Sequence, residues 1–540
     1  MRQERWNPHK EISQQEARIM KRLGRVRKLL GFLRRHRSEL FDDACQDELE
    51  GMYRTTGAGK DAKPPALMAI AVLVQGYLQV SDAEMVELTV VDLRVQMVLN
   101  RLGERRPAFS QGALCAFRER LIRHDMDRRL LERTVELARR TGEFDWRKVP
   151  RTVRIGVDAC PLGGAGRVED TINLLAHAGR NVVDCAAGLL GWSREQVCEA
   201  AGTPLLAASS AKTGLDLNWN DEEQKAGAIK TLIRDLDALQ EWIVRSLPGE
   251  VGQPPLKEQV ETLEQIRRQD LEPDPAGGGL RIRKGVAPDR RISIEDKEMR
   301  HGRKSKNRRY NGFSRHLASD LNTDLIYATA ILPANRPEGE ATAALEEDLN
   351  RLEIPIDELY IDRAYINSSL AGSVQSGGGQ VFCKPWAMRN GERFPKSAFD
   401  INVRDRIVTC PQGHAELFAF GTVVEFDPEH CDHCPVRKDC TSAEEGHGRT
   451  LSIAEDERLQ KRLRKLQDSK SGRRQLRRRT GVEHALAHAS RRQGRRARYK
   501  GVRKNNFDLR RTAAIQNLET LQRATECDRT PSGAYVVRAA

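Results

Sequence analysis

The positions of three acidic residues suit metal-dependent chemistry. Two of these residues directly follow apolar runs. Asp158 follows VRIGV, and Asp362 follows LYI in the segment LYIDRAY. Each run predicts a buried strand that ends at its acid, and functional side chains often lie at strand ends. Two adjacent carboxylates repel each other unless a cation lies between them, and Mg²⁺ prefers such oxygen ligands. The alternative, favoured about equally, is that each acid only caps a strand–loop junction.

The third acid, Glu483, lies in RRRTGVEHALAHASRR, which has helical periodicity. Arg479 lies four residues earlier, on the same face of the predicted helix. A Glu among arginines is usually a surface ion pair. Here the surrounding positive charge would attract phosphate groups. The Glu483 carboxylate would repel those phosphates unless a metal ion lay between them. Asp320, at the end of another predicted strand, is a further acid for which turn capping is the favoured role.

Composition and charge narrow the class of partner. The chain has 540 residues, a net charge of +14, 39% hydrophobic residues and 31% charged residues. Much of the positive charge lies in residues 461–511, which favours a nucleic acid partner over a merely solvated face. No run of about 18 apolar residues predicts a transmembrane helix. The absence of an apolar secretory segment predicts a reducing, cytoplasmic setting.

Changes of pattern along the chain predict a multidomain α+β protein. A helical start, with Ser81 and Asp82 as one N-cap and Ser110 as another, suits either DNA recognition or packing and dimerisation. Residues 308–336 predict two strands joined by the turn LNTD. The expected units are a helical N-terminal domain (1–145), a mixed-sheet core (146–169 and 291–395), a helical insertion (170–290) with a loop over 271–290, a Cys-rich β insertion (396–455), basic C-terminal helices of the core (456–524) and a disordered tail (525–540).

Four cysteines cluster late in the chain, in TCPQGH and HCDHCPVRKDC. Cys431 and Cys434 form the C-x2-C half of a structural zinc site. Cys410 and Cys440 would supply the remaining ligands, and the substitutes within reach are His414, His430 and His433. Unliganded thiols are the alternative, but the clustering favours metal. His484 and His488 in HALAH do not form H-E-x-x-H, which argues against a zinc protease.

The segment RRQGRRARYKGVRK interleaves cations with an aromatic residue. Its cationic side chains would pair with phosphates, which supplies affinity but little sequence information. Tyr499 could stack on an unpaired base, although packing inside the protein is favoured. The candidate DNA-binding residues are Arg479, Arg491, Arg492, Arg495, Arg496, Tyr499 and Lys500.

These segments resemble the DDE transposases of bacterial insertion sequences, in the group numbered eleven eighty-two. The resemblance covers roughly residues 35–520 and is weakest over 170–290. The matching stretches are PPALMAIAVLVQGYLQVSDAEMVE, FRERL, RRYNGFSRHLASD, ILPAN, YIDRAY and VEHALAHASRRQGRRARYKGVRK. The family also has a similar C-x2-C-P-x3-C pattern, which supports the zinc interpretation.

The resemblance implies a fold, a reaction and partners. It implies an RNase H-like catalytic core in which Asp158, Asp362 and Glu483 hold Mg²⁺ or Mn²⁺. The implied reaction is cleavage at the ends of an insertion sequence and strand transfer into target DNA. A homodimer would act on paired double-stranded DNA ends in the bacterial cytoplasm, associated with the nucleoid. A decayed or domesticated DNA-binding protein and a structure-specific nuclease are the alternatives.

The sequence departs from the family pattern near two of the acids. In the signature Tyr-x2-Arg-x3-Glu-x6-Lys, Leu476 replaces the Tyr and Ser490 replaces the Lys, with Arg491 next to it. After the second acid, Ala364 stands where the family commonly has Gly. These changes leave the three acids intact and affect how DNA phosphates would be held.

Overall fold

A computed structural model describes residues 5–24, 27–53, 62–140, 146–215, 221–275, 277 and 279–527. It has a helical N-terminal region followed by a mixed sheet, so the predicted α+β class is confirmed at that level. Most of the predicted disordered tail, residues 528–540, lies outside the described residues.

The N-terminal region is helical throughout most of its described residues. The expected N-caps at Ser81 and Ser110 are confirmed, because their side chains accept hydrogen bonds from the backbone N–H groups of Glu84 and Ala113, whereas Asp82 is the first residue of its helix. The helices are α1 (Gln14–Lys21), α2 (Lys28–Leu40), α3 (Asp43–Glu50), α4 (Pro65–Leu78), α5 (Asp82–Val91), α6 (Leu93–Val98), α7 (Gln111–Arg123) and α8 (Met126–Arg140).

The remaining helices fall in three stretches. Between the first and later strands lie α9 (Thr171–Leu190), α10 (Arg194–Ala201), α11 (Pro204–Ala207), α12 (Ala211–Gly214), α13 (Glu222–Ser246) and α14 (Leu256–Asp270). Within and after the sheet lie α15 (Thr342–Arg351), α16 (Ser369–Ser376), α17 (Pro428–Asp432) and α18 (Arg437–Cys440). The C-terminal helices are α19 (Glu457–Asp468), α20 (Lys470–Leu476), α21 (Thr480–Gln493) and α22 (Val502–Cys527).

Within the described residues, the strands form one six-stranded mixed sheet and three small sheets. They are β1 (Arg154–Gly163), β2 (Leu271–Pro273), β3 (Leu280–Ile282), β4 (Arg300–Ser305), β5 (Arg308–Asp320), β6 (Ile326–Pro333), β7 (Glu358–Tyr360), β8 (Gln380–Phe382), β9 (Asp400–Asn402), β10 (Ile407–Thr409), β11 (Ala415–Leu417), β12 (Val423–Glu425) and β13 (Thr450–Ser452). The main sheet has the order β4-β5-β1-β7-β8, and β6 also pairs with β5.

The predicted hairpin and the predicted strand before Asp362 are confirmed, with additions. They are β5–β6 and β7, and the sheet also has helix α15 between β6 and β7 and strand β8 after β7. The sequence pattern missed β4, which pairs antiparallel with β5. It was also wrong for 271–290, where β2 and β3 form a short hairpin within the expected loop.

The prediction that the first strand ends at Asp158 is wrong. Strand β1 continues to Gly163, and residues 159–163 pair antiparallel with residues 312–316 of β5. The local sequence ACPLG has little strand propensity. Pairing with the long strand β5 overrides that preference, so Asp158 lies in the middle of β1.

Two satellite units have hydrophobic cores of their own. Helices α9–α14 enclose one cluster around Leu174, Leu232 and Trp242. Strands β9–β13 enclose another around Phe399, Val408 and Phe426. In contrast, the N-terminal helices and the main sheet share a single core that extends from Trp6 to Leu521. The proposed unit 1–145 is therefore packed directly onto the sheet.

Helix α22 joins these parts through a buried ionic network. Arg510 contacts Asp127 of α8 at 3.3 Å and Asp348 of α15 at 3.5 Å. Arg503 donates to the same Asp127 carboxylate at 3.0 Å. The side chains of Asp127, Asp348 and Arg510 are at most 5% exposed.

Among the described residues, no single helix is long and apolar enough to cross a membrane, and only the pair α4–α5, bent by 105°, passes by length and composition together.

We expect Asp127→Ala to lower the free energy of unfolding by about 1.5–3 kcal/mol, because the buried Arg510 loses one of its three carboxylate partners. Urea unfolding followed by tryptophan fluorescence measures this. The matched control is Glu261→Ala, which removes an exposed carboxylate 3.9 Å from Lys257. The control should lose less than about 0.5 kcal/mol. Equal losses in the two variants would contradict the role assigned to the network.

Candidate active site

The pairing of β1 with β7 places two of the predicted acids side by side. The strands are parallel, and Arg154 pairs with Glu358, an offset of 204 positions. The same offset joins Asp158 to Asp362. Asp362 keeps an extended backbone, with φ −83° and ψ 166°, so it continues the row beyond the last paired residue of β7. Asp158 and Asp362 also interact electrostatically.

Each of these aspartates makes a local backbone hydrogen bond. Asp158 Oδ1 accepts from the N–H of Ala159 at 2.9 Å, and Asp362 Oδ1 accepts from the N–H of Arg363 at 2.7 Å. Their exposure differs, because the Asp158 side chain is 16% exposed whereas Asp362 is exposed. Asp158 is therefore the more buried of the two carboxylates. Local capping alone does not require the two acids to share a row.

Helix α21 brings the third acid to the same place by lying along β1. A Cβ atom on Gly156 would lie 2.9 Å from Cβ of Val482, so the missing side chain permits the close approach of the helix. Further along, the Cys160 sulfur lies 3.1 Å from the Ser490 hydroxyl. Eight residues of helix rise about 12 Å, and four residues of strand rise about 13 Å. The two elements therefore stay in step from one contact to the next.

Arg479 links the helix acid to the strand acid. Its guanidinium lies 3.1 Å from Asp158 Oδ2 and donates to Glu483 Oε1 at 2.5 Å. The expected i, i+4 relation between Arg479 and Glu483 is thus confirmed. The Arg479 guanidinium therefore offsets part of the repulsion between Asp158 and Glu483, which are far apart in the sequence.

A fourth acid, Glu338, lies at the site and is not among the residues that the sequence predicts there. It begins a 3-10 turn (Glu338–Ala341) after β6 and interacts electrostatically with Asp158, Asp362, Arg479 and Lys304. The next residue, Gly339, packs on the turn after β7, since a Cβ there would lie 3.3 Å from the Ala364 carbonyl oxygen. The available signal was an acid just after a strand of the same sheet, as for Asp362.

Burial and mutual repulsion raise the pKa values of two of these carboxyl groups. Burial raises the pKa of Asp158, Arg479 opposes that rise, and the charges of Glu483 and Asp362 add to it. The pKa of Glu338 is also raised, first by burial and then by Asp158 and Asp362. A bound cation would favour the ionised form of both groups.

A buried hydrogen-bonded pair supports the segment that carries Asp362. The Tyr365 hydroxyl and His316 Nδ1 lie 2.7 Å apart, and His316 Nε2 lies 2.8 Å from the Ser314 hydroxyl. Burial lowers the pKa of His316 to about 3, so the imidazole is neutral at ordinary pH. The YIDRAY segment is therefore anchored to β5, the strand that also pairs with β1.

The departures from the family pattern are accommodated without strain. Ala364 does not have a positive φ, so replacing Gly there has no backbone cost. Ser490 faces Cys160 on β1. Asp320 caps its turn as expected, because its carboxylate accepts from the Asn322 N–H and the Thr323 hydroxyl.

The predicted DNA-binding side chains divide into two groups. Arg492 pairs with Glu519 at 2.6 Å, Lys500 pairs with Glu295 at 3.2 Å, and Arg496 donates to the carbonyls of Gly164 and Ala165. Tyr499 packs edge-on against Phe507, in agreement with its favoured packing role. Arg491 and Arg495 are exposed, and among the described residues their side chains have no hydrogen-bond or ion-pair partner. DNA binding by any of these residues stays a prediction.

The four clustered cysteines line one small cavity of about 30 Å³. His414 and His430 also line it, and their rings are stacked at 4.1 Å. Across the part of the chain that the structure describes, no group of three or more His, Cys, Asp or Glu side chains is arranged to hold a metal ion. The zinc and magnesium sites are therefore not confirmed and stay predictions.

Comparison with known families agrees with this arrangement. Residues 409–522 match the model of a family described as "Transposase DDE domain", and residues 24–120 match one described as "Transposase domain (DUF772)". No curated protein and no solved structure matches the chain. The two matches indicate a DDE transposase family and support a transposase function. The first match includes Glu483 and the four clustered cysteines, and it does not extend to Asp158 or Asp362.

We expect Arg479→Ala to lower the free energy of unfolding by about 1–2 kcal/mol without added metal, because two carboxylates lose their shared cation. We also expect Mg²⁺ to raise the thermal midpoint of this variant more than that of the wild-type protein. Thermal unfolding with and without Mg²⁺ measures both effects. Arg477→Ala, which removes a nearby exposed arginine, should behave like wild type. Equal Mg²⁺ responses in all three proteins would contradict the bridging role of Arg479.

Proposed function

We propose that this protein is a metal-dependent transposase that cleaves DNA at the ends of an insertion sequence and transfers the strand into target DNA. The observation that carries the proposal is the convergence of Asp158, Asp362 and Glu483 from three separated segments. Their common element is β1, through its register with β7 and its contact with α21. The transposase family matches favour the same conclusion.

The donor set fits a hard divalent cation such as Mg²⁺ or Mn²⁺. Asp158, Asp362 and Glu483 would hold the metal through carboxylate oxygens. When bound, divalent ions would supply Lewis acidity to activate the attacking hydroxyl and stabilise the leaving oxygen of the phosphodiester. Arg479 would then hold a phosphate group through its guanidinium. No serine or histidine nucleophile is required.

The proposed core is RNase H-like, in agreement with the order of strands and acids. Three antiparallel strands (β1, β5 and β6) precede α15 and the parallel strand β7. The first acid lies on the first strand, the second follows β7, and the third lies on a late helix. We propose that the protein acts as a dimer on paired DNA ends in the bacterial cytoplasm.

We also propose a structural zinc ion bound by Cys410, Cys431, Cys434 and Cys440. The support is their shared cavity and the electrostatic interaction of the Cys440 thiol with the other three thiols. A zinc ion there would tie the loops of α17 and α18 to the small sheets of β9–β13.

We expect Asp158→Asn, Asp362→Asn and Glu483→Gln each to slow metal-dependent nicking by more than about 100-fold, since even residues outside the ligand shell can cost 10–100-fold. The substrate is a labelled duplex carrying the inverted repeats that flank the gene, with Mg²⁺ or Mn²⁺ added. DNA affinity without metal should fall by less than about threefold, because these carboxylates would not attract phosphates.

Asp237→Asn, which neutralises an exposed carboxylate of α13, is the matched control and should cut like wild type. Triad variants that cut as fast as this control would refute the assignment. A wild-type protein that binds the repeats without cutting them would indicate a decayed, DNA-binding transposase. Cutting that depends on DNA structure and not on the repeats would indicate a nuclease.

Metal analysis tests the zinc site separately. We expect about one zinc per chain in protein purified from zinc-containing medium, and loss of that zinc in a Cys431→Ser/Cys434→Ser double variant. Cys115→Ser, which changes an exposed cysteine of α7, should keep the metal. Wild-type protein that is free of zinc and has all four thiols reactive would contradict the proposal.

A further inference from the structure

A basic hairpin outside the predicted DNA-binding set lies near the carboxylates. Strands β4 and β5 pair antiparallel around a turn at Lys306. The basic hairpin is defined by five cationic residues: Arg303, Lys304, Lys306, Arg308 and Arg309. All five are exposed, and within the described part of the chain none has a hydrogen-bond or ion-pair partner.

The charges of the basic hairpin repel one another. Arg303 lies directly opposite Arg309 in the β4–β5 register. Like charges at facing positions destabilise an antiparallel pair. The segment GRKSKNRRY contains no acid that would relieve the repulsion. Such a pattern has a cost in the free protein, which a polyanionic partner would offset.

The base of the basic hairpin adjoins the acidic site. A Cβ on Gly302 would lie 2.6 Å from Ala334, so β4 packs closely on the loop that leads to Glu338. Lys304 interacts electrostatically with Glu338, which in turn interacts with Asp158 and Asp362. The basic hairpin therefore adjoins the cluster of acidic residues.

The tip of the basic hairpin extends beyond this contact. Leu317 of β5 pairs with Asp158, and Arg308 lies nine positions earlier on the same strand. At about 3.3 Å per residue, the tip of the hairpin lies at most about 30 Å from Asp158. That length corresponds to about nine base pairs at about 3.4 Å each.

A second basic segment borders the same end of the sheet. The N–H of Gly163, at the end of β1, donates to the Arg495 carbonyl at 2.9 Å. Gly163 also pairs with Gly312, which pairs with Arg300 at the start of β4. The exposed Arg495 and the basic hairpin therefore lie on the same side of Asp158 and Asp362.

We propose that the basic hairpin binds the phosphate backbone of duplex DNA within about nine base pairs of the cleaved phosphate. This inference rests on the proposed transposase function, for which it names a DNA-contact surface. Phosphate contacts carry no direct sequence information, so the hairpin strengthens binding to any duplex.

The test uses full-length protein with Lys304→Gln, Lys306→Gln and Arg309→Gln combined. We expect its affinity for repeat and scrambled duplexes to fall at least about tenfold at 0.1 M salt. The slope of log affinity against log salt should shrink by about 2.7, at about 0.9 per lost phosphate contact. The matched control combines Lys230→Gln, Arg245→Gln and Arg268→Gln, exposed cations of α13 and α14. The control should keep nearly the wild-type affinity and slope.

A thermal scan without DNA separates binding from folding. Because Arg309→Gln removes a like-charge pair, the hairpin variant should unfold at the wild-type temperature or above it. Equal affinities for the hairpin variant and the control would overturn the inference. So would a loss restricted to the repeat duplex, because that pattern would indicate base recognition.

The same samples distinguish failure of the inference from failure of the proposed function. If wild-type protein cuts DNA with Mg²⁺ while the hairpin variant binds and cuts like the control, only the hairpin inference fails. If wild-type protein does not cut, yet the hairpin variant alone loses affinity, the proposed chemistry fails and the DNA surface is supported.

Discussion

The parallel pairing of β1 with β7 is the interaction on which the site depends. One register, set by Arg154 and Glu358, decides that Asp158 and Asp362 fall on the same row. A slip of one position would turn the side chains of β7 to the other face. The pairing is short, so its stability comes from neighbours: β5 on one side, β8 on the other, and Tyr365 anchored to His316.

Repulsion between like charges at the candidate site lowers the stability of the folded protein. Four carboxyl groups share a small region with Arg479, and burial and repulsion raise the pKa of both Asp158 and Glu338. Facing arginines in β4 and β5 add a second repulsive feature nearby. Each arrangement is unfavourable for the free chain, and a bound cation or polyanion would offset that cost. Local destabilisation of this kind is expected where binding is the purpose.

Much of this could be predicted from the sequence, and the failures have physical causes. The apolar run before Asp362 and the helical period around Glu483 are strong local signals, so β7 and α21 were found. The end of β1 was not, because ACPLG is held in the sheet by β5 and not by its own propensity. Strand β4 was missed since HGRKS has no apolar alternation, and Glu338 was missed because proximity to Asp158 depends on tertiary packing.

The contact between Gly156 and Val482 has a consequence for how this protein can vary. The strand and the helix touch where one of them has no side chain, so neither position is free to change alone. A Cβ atom at 156 would lie 2.9 Å from Val482 Cβ, so the helix would have to move by roughly 1 Å to restore ordinary contact, and Glu483 would move with it. Related chains should therefore show paired change at these two positions: a larger residue on the strand accompanied by a smaller one on the helix. The distance from helix to strand, and with it the reach of the third carboxylate, is what such a pair would preserve.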